Sequence, residues 1–83
     1  MIRKEIMITH VPDGEVSVAA LLVQRAGKFA SSVYIEKNDR RVNAKSIMGV
    51  MTVPVQLGEK LVITADGTDE KEAIAQMEAF LSE

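Results

Sequence analysis

The chain has 83 residues, 12 carboxylates against 10 lysines and arginines, a net charge of −2, no cysteine and one histidine. That length supplies material for one domain with one core, near the size at which stability becomes marginal. Disulfides, thiolate metal sites and redox motifs are excluded, one histidine makes no zinc cluster, and the missing lysine or arginine run removes the electrostatic footprint of a nucleic-acid binder.

The first five residues, Met1-Ile2-Arg3-Lys4-Glu5, place charges where a signal peptide has its apolar centre, and the apolar run from Val18 to Val23 is too short to span a bilayer. A cytoplasmic protein without membrane insertion, metal or cofactor is expected. From Ile2 to Thr9 the even positions Ile2, Ile6 and Ile8, with Lys4 among them, alternate with Arg3, Glu5, Met7 and Thr9, the period of a half-buried strand. Val11-Pro12-Asp13-Gly14 reads as the turn that ends it, since proline fixes φ and glycine accepts positive φ.

A first helix is expected from about Val16 to Lys28, with Ala19, Leu22, Val23, Ala26 and Phe29 on the core side. Its outer face carries Ser17, Ala20, Leu21, Gln24 and Lys28, so Leu21 is a large apolar side chain on the side expected to be wet. Val33 and Ile35 alternate with Ser32, Tyr34 and Glu36, and Asn38-Asp39 is the turn of a hairpin whose second strand is Arg41 to Asn43.

Ser46 stands where its hydroxyl can accept from a free N–H of a first helical turn, and so reads as an N-cap. On a short helix beginning there, Val50 and Val53 share one side while Ile47, Met48 and Met51 gather on another. Two readings stay open. The serine is only a cap and the methionines pack under a loop, or the surplus apolar side is an adaptable protein-binding surface with a serine at its rim.

Pro54 and Gly58 bracket a loop, Leu61, Ile63 and Ala65 mark the buried parity of a fourth strand, and Asp66-Gly67 closes it. The last helix opens at Thr68 or Asp69, where Asp69 with Glu72 fits a capping box, and its stripe is Ala73, Ile74, Met77, Phe80 and Leu81. The order strand, helix, strand, strand, short helix, strand, helix predicts a two-layer α+β fold in one domain spanning residues 1–83, with helices stacked on the apolar side of the sheet.

The run Asn43-Ala44-Lys45-Ser46-Ile47-Met48-Gly49-Val50-Met51 resembles the regulatory serine segment of HPr, the phosphocarrier of the bacterial sugar phosphotransferase system. It is most similar to HPr of low-GC Gram-positive bacteria and to their HPr-like catabolite-repression paralogue. The likeness continues through Leu22-Val23-Gln24, Phe29 and Ala65-Asp66-Gly67. It implies an open-faced sandwich, a four-stranded antiparallel sheet with three helices on one face. It also implies phosphorylation of Ser46 by HPr kinase/phosphorylase, and binding of the phosphorylated form to the catabolite control protein, a repressor of the lactose-repressor type. The partner-binding residues that carry over are Ala20, Leu21, Gln24, Ile47, Met48 and Met51, with Ser17 standing where the family has an arginine.

The family's carrier histidine lies in His-Ala-Arg-Pro at the start of the first helix, and here Glu15-Val16-Ser17-Val18 occupies that place. Imidazole relays phosphate because it is nucleophilic when neutral, and the neighbouring arginine supports the added charge. Both are replaced. His10, five positions earlier, has no arginine after it and reads as a surface histidine at a strand end. The expectation is therefore a regulatory binding protein, not an enzyme and without histidine carrier activity, present as a monomer or weak homodimer. The alternatives are a carrier that uses His10 or Glu15 and an interaction module that is never phosphorylated.

Overall fold

The computed structural model describes residues 1–10, 18–53 and 55–82, in the order β1 (Ile2–Met7), α1 (Val18–Ala26), β2 (Ser32–Lys37), β3 (Arg40–Asn43), α2 (Ile47–Met51), β4 (Lys60–Asp66) and α3 (Glu70–Ser82). The expected turn Val11-Pro12-Asp13-Gly14, the start of the first helix at Val16 and Ser17, and Pro54 lie outside the described residues. The strands form one antiparallel sheet in the order β1-β4-β2-β3, and β4 lies between β1 and β2 through the pairs Ile6↔Leu61 and Ile35↔Ile63.

The predicted parity is the observed one. Ile6 and Ile8, Val33 and Ile35, and Leu61, Ile63 and Ala65 are all buried on the helix-covered side. They meet Leu22 and Ala26 of α1, Val50 and Val53 at α2, and the whole α3 stripe Ala73, Ile74, Met77, Phe80 and Leu81 in one apolar cluster. Complete burial of one such aliphatic side chain contributes about 1.5–3 kcal/mol relative to leaving it in water. Lys4 occupies a core-side register position at the edge of the sheet, and its ammonium reaches Glu78 of α3 at 2.8 Å. Lys37 shares that parity at the end of β2, where its buried ammonium pairs with Glu59.

The other side of the sheet faces water. It carries the Arg3–Glu36 pair at 3.2 Å across β4, and the Arg41 guanidinium 4.3 Å above the centre of the Tyr34 ring. At the β2–β3 turn Asn38 and Asp39 have φ of 51° and 65°, the left-handed pair that a two-residue hairpin matching the strand twist requires.

Two boundaries and one burial differ from expectation. β1 leaves the sheet at Met7, because the N–H groups of Thr9 and His10 both donate to the Leu81 carbonyl, at 2.8 and 3.0 Å. The first helix ends at Ala26 rather than Lys28: Gly27 N–H still reaches Val23, after which Lys28 and Phe29 bond only three residues back, at 3.3 Å each. Leu21 is half-buried against the apolar cluster instead of wet, because α1 packs against α2 as well as against α3.

The third helix is capped otherwise than the Asp69–Glu72 box. Asp69 accepts from the N–H groups of Ala30 and Ser31, at 2.9 Å each, and from the Ser31 hydroxyl. Glu70 accepts from the Gly67 N–H at 3.1 Å. The Ser31 hydroxyl, with the two backbone donors, holds the Asp69 carboxyl below the ordinary carboxylate range. A depressed carboxylate contributes stability that is present above its unfolded value and lost as pH falls through its folded value. Asp69→Ala is therefore expected to lower Tm by several degrees at neutral pH, and the gap to the parent protein should close as pH drops below about 4. Thermal melts of both proteins from pH 7 to pH 2 check this, and a gap that does not depend on pH would refute it.

Candidate functional site

The sequence around Ser46 builds a rigid step between β3 and α2. Ala44 is fully buried and donates its N–H to the Val33 carbonyl at 2.8 Å, continuing the sheet beyond β3. The Asn43 side chain then turns the chain by accepting from the Lys45 N–H at 2.9 Å, while its carbonyl accepts from the Ser46 N–H at 3.0 Å. Ser46 has extended φ and ψ of −105° and 113°, and its Oγ accepts from the Gly49 N–H at 3.3 Å. The N-cap reading is confirmed.

The five residues of α2 expose two different sides. Val50 is 0% exposed, whereas Ile47, Met48 and Met51 are 40, 80 and 68% exposed. This division follows from 3.6-residue periodicity, with Val50 and Val53 taking the one side a single short turn can bury. Ile47, Met48 and Met51 therefore lie side by side in water beside Ser46, whose own side chain is exposed. Thr52 closes the turn by returning its hydroxyl to the Gly49 carbonyl at 2.6 Å.

α1 packs against this helix. On α1, Ala20 and Gln24 are exposed and Leu21 is half-buried, so the polar-looking face of α1 and the apolar face of α2 belong to neighbouring helices. Lys45 was not singled out by sequence, yet its Nζ donates to the Phe29 carbonyl at 2.7 Å. That bond ties the segment before α2 to the chain leaving α1 and satisfies a carbonyl at a helix end. No local pattern marks such a lysine, because its acceptor is 16 residues away.

The other candidates fall elsewhere. His10 is exposed just beyond β1, its backbone fixed to the end of α3. Glu15 and Ser17 lie outside the described residues. Among the described residues there is no cluster of His, Cys, Asp and Glu able to hold a metal, and no helix is long and apolar enough to cross a membrane.

Comparison with known proteins agrees with this geometry. Residues 2–83 match the family described as PTS HPr component phosphorylation site. The chain is 37% identical over 83 residues to the HPr-like protein Crh of Bacillus subtilis, covering 100% of this chain and 98% of that one. Its structure is similar to that of HPr-C-His from Thermoanaerobacter tengcongensis, with a TM-score of 0.85 and 40% identity, covering 98% of this chain and 91% of the other. It is also similar to a crystal structure of B. subtilis Crh described as a swapped dimer, with a TM-score of 0.69 and 39% identity, covering 84% of this chain and 92% of that one.

Proposed function

Because the chain belongs to the HPr family, whose members are phosphocarriers and their HPr-like relatives rather than enzymes, we propose that it is a regulatory protein of carbon catabolite repression. In this reading HPr kinase/phosphorylase phosphorylates Ser46, the protein acts by binding other proteins, and it has no histidine carrier activity. The observation that carries the reading is the exposed set Ile47, Met48 and Met51 beside a capping serine, on a helix whose opposite side is fully buried.

Phosphorylation adds about −1.5 to −2 of charge at the rim of that apolar face. A partner then meets an anion and an adaptable apolar surface together, with Ala20, Leu21 and Gln24 on the neighbouring helix completing the face. The catabolite control protein is one partner of this kind, and Ser17, in place of the arginine through which the family engages it, is expected to make that binding weak. Ser17 and Glu15 distinguish the chain from carriers, since neither the relay imidazole nor its arginine is in place.

Two incubations followed by intact mass measurement test the reading. With ATP and HPr kinase, one phosphate is expected and Ser46→Ala abolishes it. With phosphoenolpyruvate and enzyme I, no phosphate is expected. Acid-labile phosphate that disappears in His10→Gln would establish the carrier alternative instead. Crh is described as a swapped dimer, and for this chain we infer a monomer or weak homodimer, which light scattering across a concentration series reads directly.

A further inference from the structure

Four methionines of this chain are exposed and one is sealed. Met48 and Met51 lie three residues apart on α2, Met1 and Met7 lie at β1, and Met77 is 0% exposed on the buried face of α3. A thioether is an effective apolar contact because it is polarizable and flexible, and it loses that character on oxidation to a polar sulfoxide. We propose that Met48 and Met51 are an oxidation site at which peroxide switches the α2 face off.

In each step the thioether sulfur attacks one oxygen of the peroxide, an S–O bond forms and the O–O bond breaks. The departing hydroxide takes up the proton released from the transferred oxygen and leaves as water. Sulfur is oxidised by two electrons and the peroxide is reduced by two. The fold can accept both oxygens, because Val50 and Val53, on the opposite side, hold α2 to the core while Met48 and Met51 are largely exposed. What changes is the face itself: two of its three apolar side chains become polar, and only Ile47 keeps its character. Met1 and Met7 also react, but they lie just before β1 and at its last residue, and not on this face.

The consequence for binding rests on the reading of the face given above, so the test separates the two. The full chain is treated with hydrogen peroxide, the peroxide is removed with catalase, and oxidised methionines are located by peptide mass spectrometry. Ser46 phosphorylation by HPr kinase with ATP is then compared for untreated, oxidised and methionine-sulfoxide-reductase-treated protein, and for Ile47→Asp. Sulfoxide is expected at Met48 and Met51 and not at Met77, with an unchanged melting curve, a roughly tenfold lower phosphorylation rate and recovery after reductase treatment. In Met48→Leu/Met51→Leu the ratio of rates after and before peroxide is expected to stay near unity, whatever the starting rate.

Full-rate phosphorylation of the oxidised protein alongside a defect in Ile47→Asp would overturn the switch and leave the face as the kinase's docking surface. Full-rate phosphorylation of both would show that the kinase does not use the face and would overturn the switch, and no phosphorylation of the untreated protein would overturn the proposed function and the switch with it. Oxidation of Met77 as fast as Met48 would overturn the site itself.

Discussion

Val50→Asp is expected to unfold the protein at room temperature, whereas Ile47→Asp, three residues earlier on the same helix, leaves it folded and weakens its recognition by HPr kinase. Val50 has no exposed surface and sits in the cluster joining α2 to the sheet. A carboxylate there forfeits about 1.5–3 kcal/mol of aliphatic burial and adds the cost of a buried polar group without a partner, about 1–3 kcal/mol even on the lower protein-based scales. The sum, about 2.5–6 kcal/mol, reaches the low end of a small domain's stability, about 5–15 kcal/mol, where a chain of this size is expected to lie. Ile47 is 40% exposed, so an aspartate can place its charge in water and the folding cost stays within about 1 kcal/mol. Its loss is felt in a complex, where a central apolar anchor is worth on the order of 1–3 kcal/mol. Circular dichroism melts with the steady-state KM for Ser46 phosphorylation decide the matter. Equal loss of structure in both variants would make the α2 face part of the core.

The sheet was legible because each strand obeys one simple rule. Ile6 and Ile8, or Leu61, Ile63 and Ala65, are buried by a period of two that needs no knowledge of what covers them. The two sides of α2 were legible for the same reason, since Val50 and Met51 differ only in angle around one short helix. The misses share a different cause. Asp69 has the spacing of a capping acid, yet local spacing does not reveal that Ala30 and Ser31, almost 40 residues earlier, offer it three donors. Lys37 is buried on a core-side register position because Glu59 comes from the loop before β4 to pair with it. Lys45 finds the Phe29 carbonyl across the interface of α1 and α2. Leu21 is half-buried because that interface exists at all. In each case a polar or peripheral side chain is placed by a distant partner, and distance along the chain is what a pattern of local periods does not contain.

Gly67→Ala is the second substitution with a large expected effect, and it acts through backbone rather than through the core. Gly67 has φ of +156°, and a Cβ built there would stand 2.6 Å from the Ser31 Oγ and 2.7 Å from the Ser31 Cα. Both distances lie well inside van der Waals contact, and the second is to a backbone atom that no rotamer change can move. Ser31 cannot retreat, since it is 1% exposed and its N–H and hydroxyl are both held by Asp69. The added methyl must therefore push the turn between β4 and α3 away from β2, which also disturbs the Gly67 N–H bond to Glu70. Overpacking combined with a poorly populated φ places the cost at about 2–4 kcal/mol. For a chain of this size that corresponds to a fall in Tm of roughly 10–25 °C. The mechanism has a second signature. If the methyl acts by separating Gly67 from Ser31, the Asp69 bonds are already weakened in Gly67→Ala, and adding Asp69→Ala should cost less than it does in the parent protein. Melts of the two single variants and the double variant measure this. Additive losses, or a Gly67→Ala protein that melts within 2 °C of the parent, well short of the shift expected from overpacking, would show that the turn has room the close approach to Ser31 denies it.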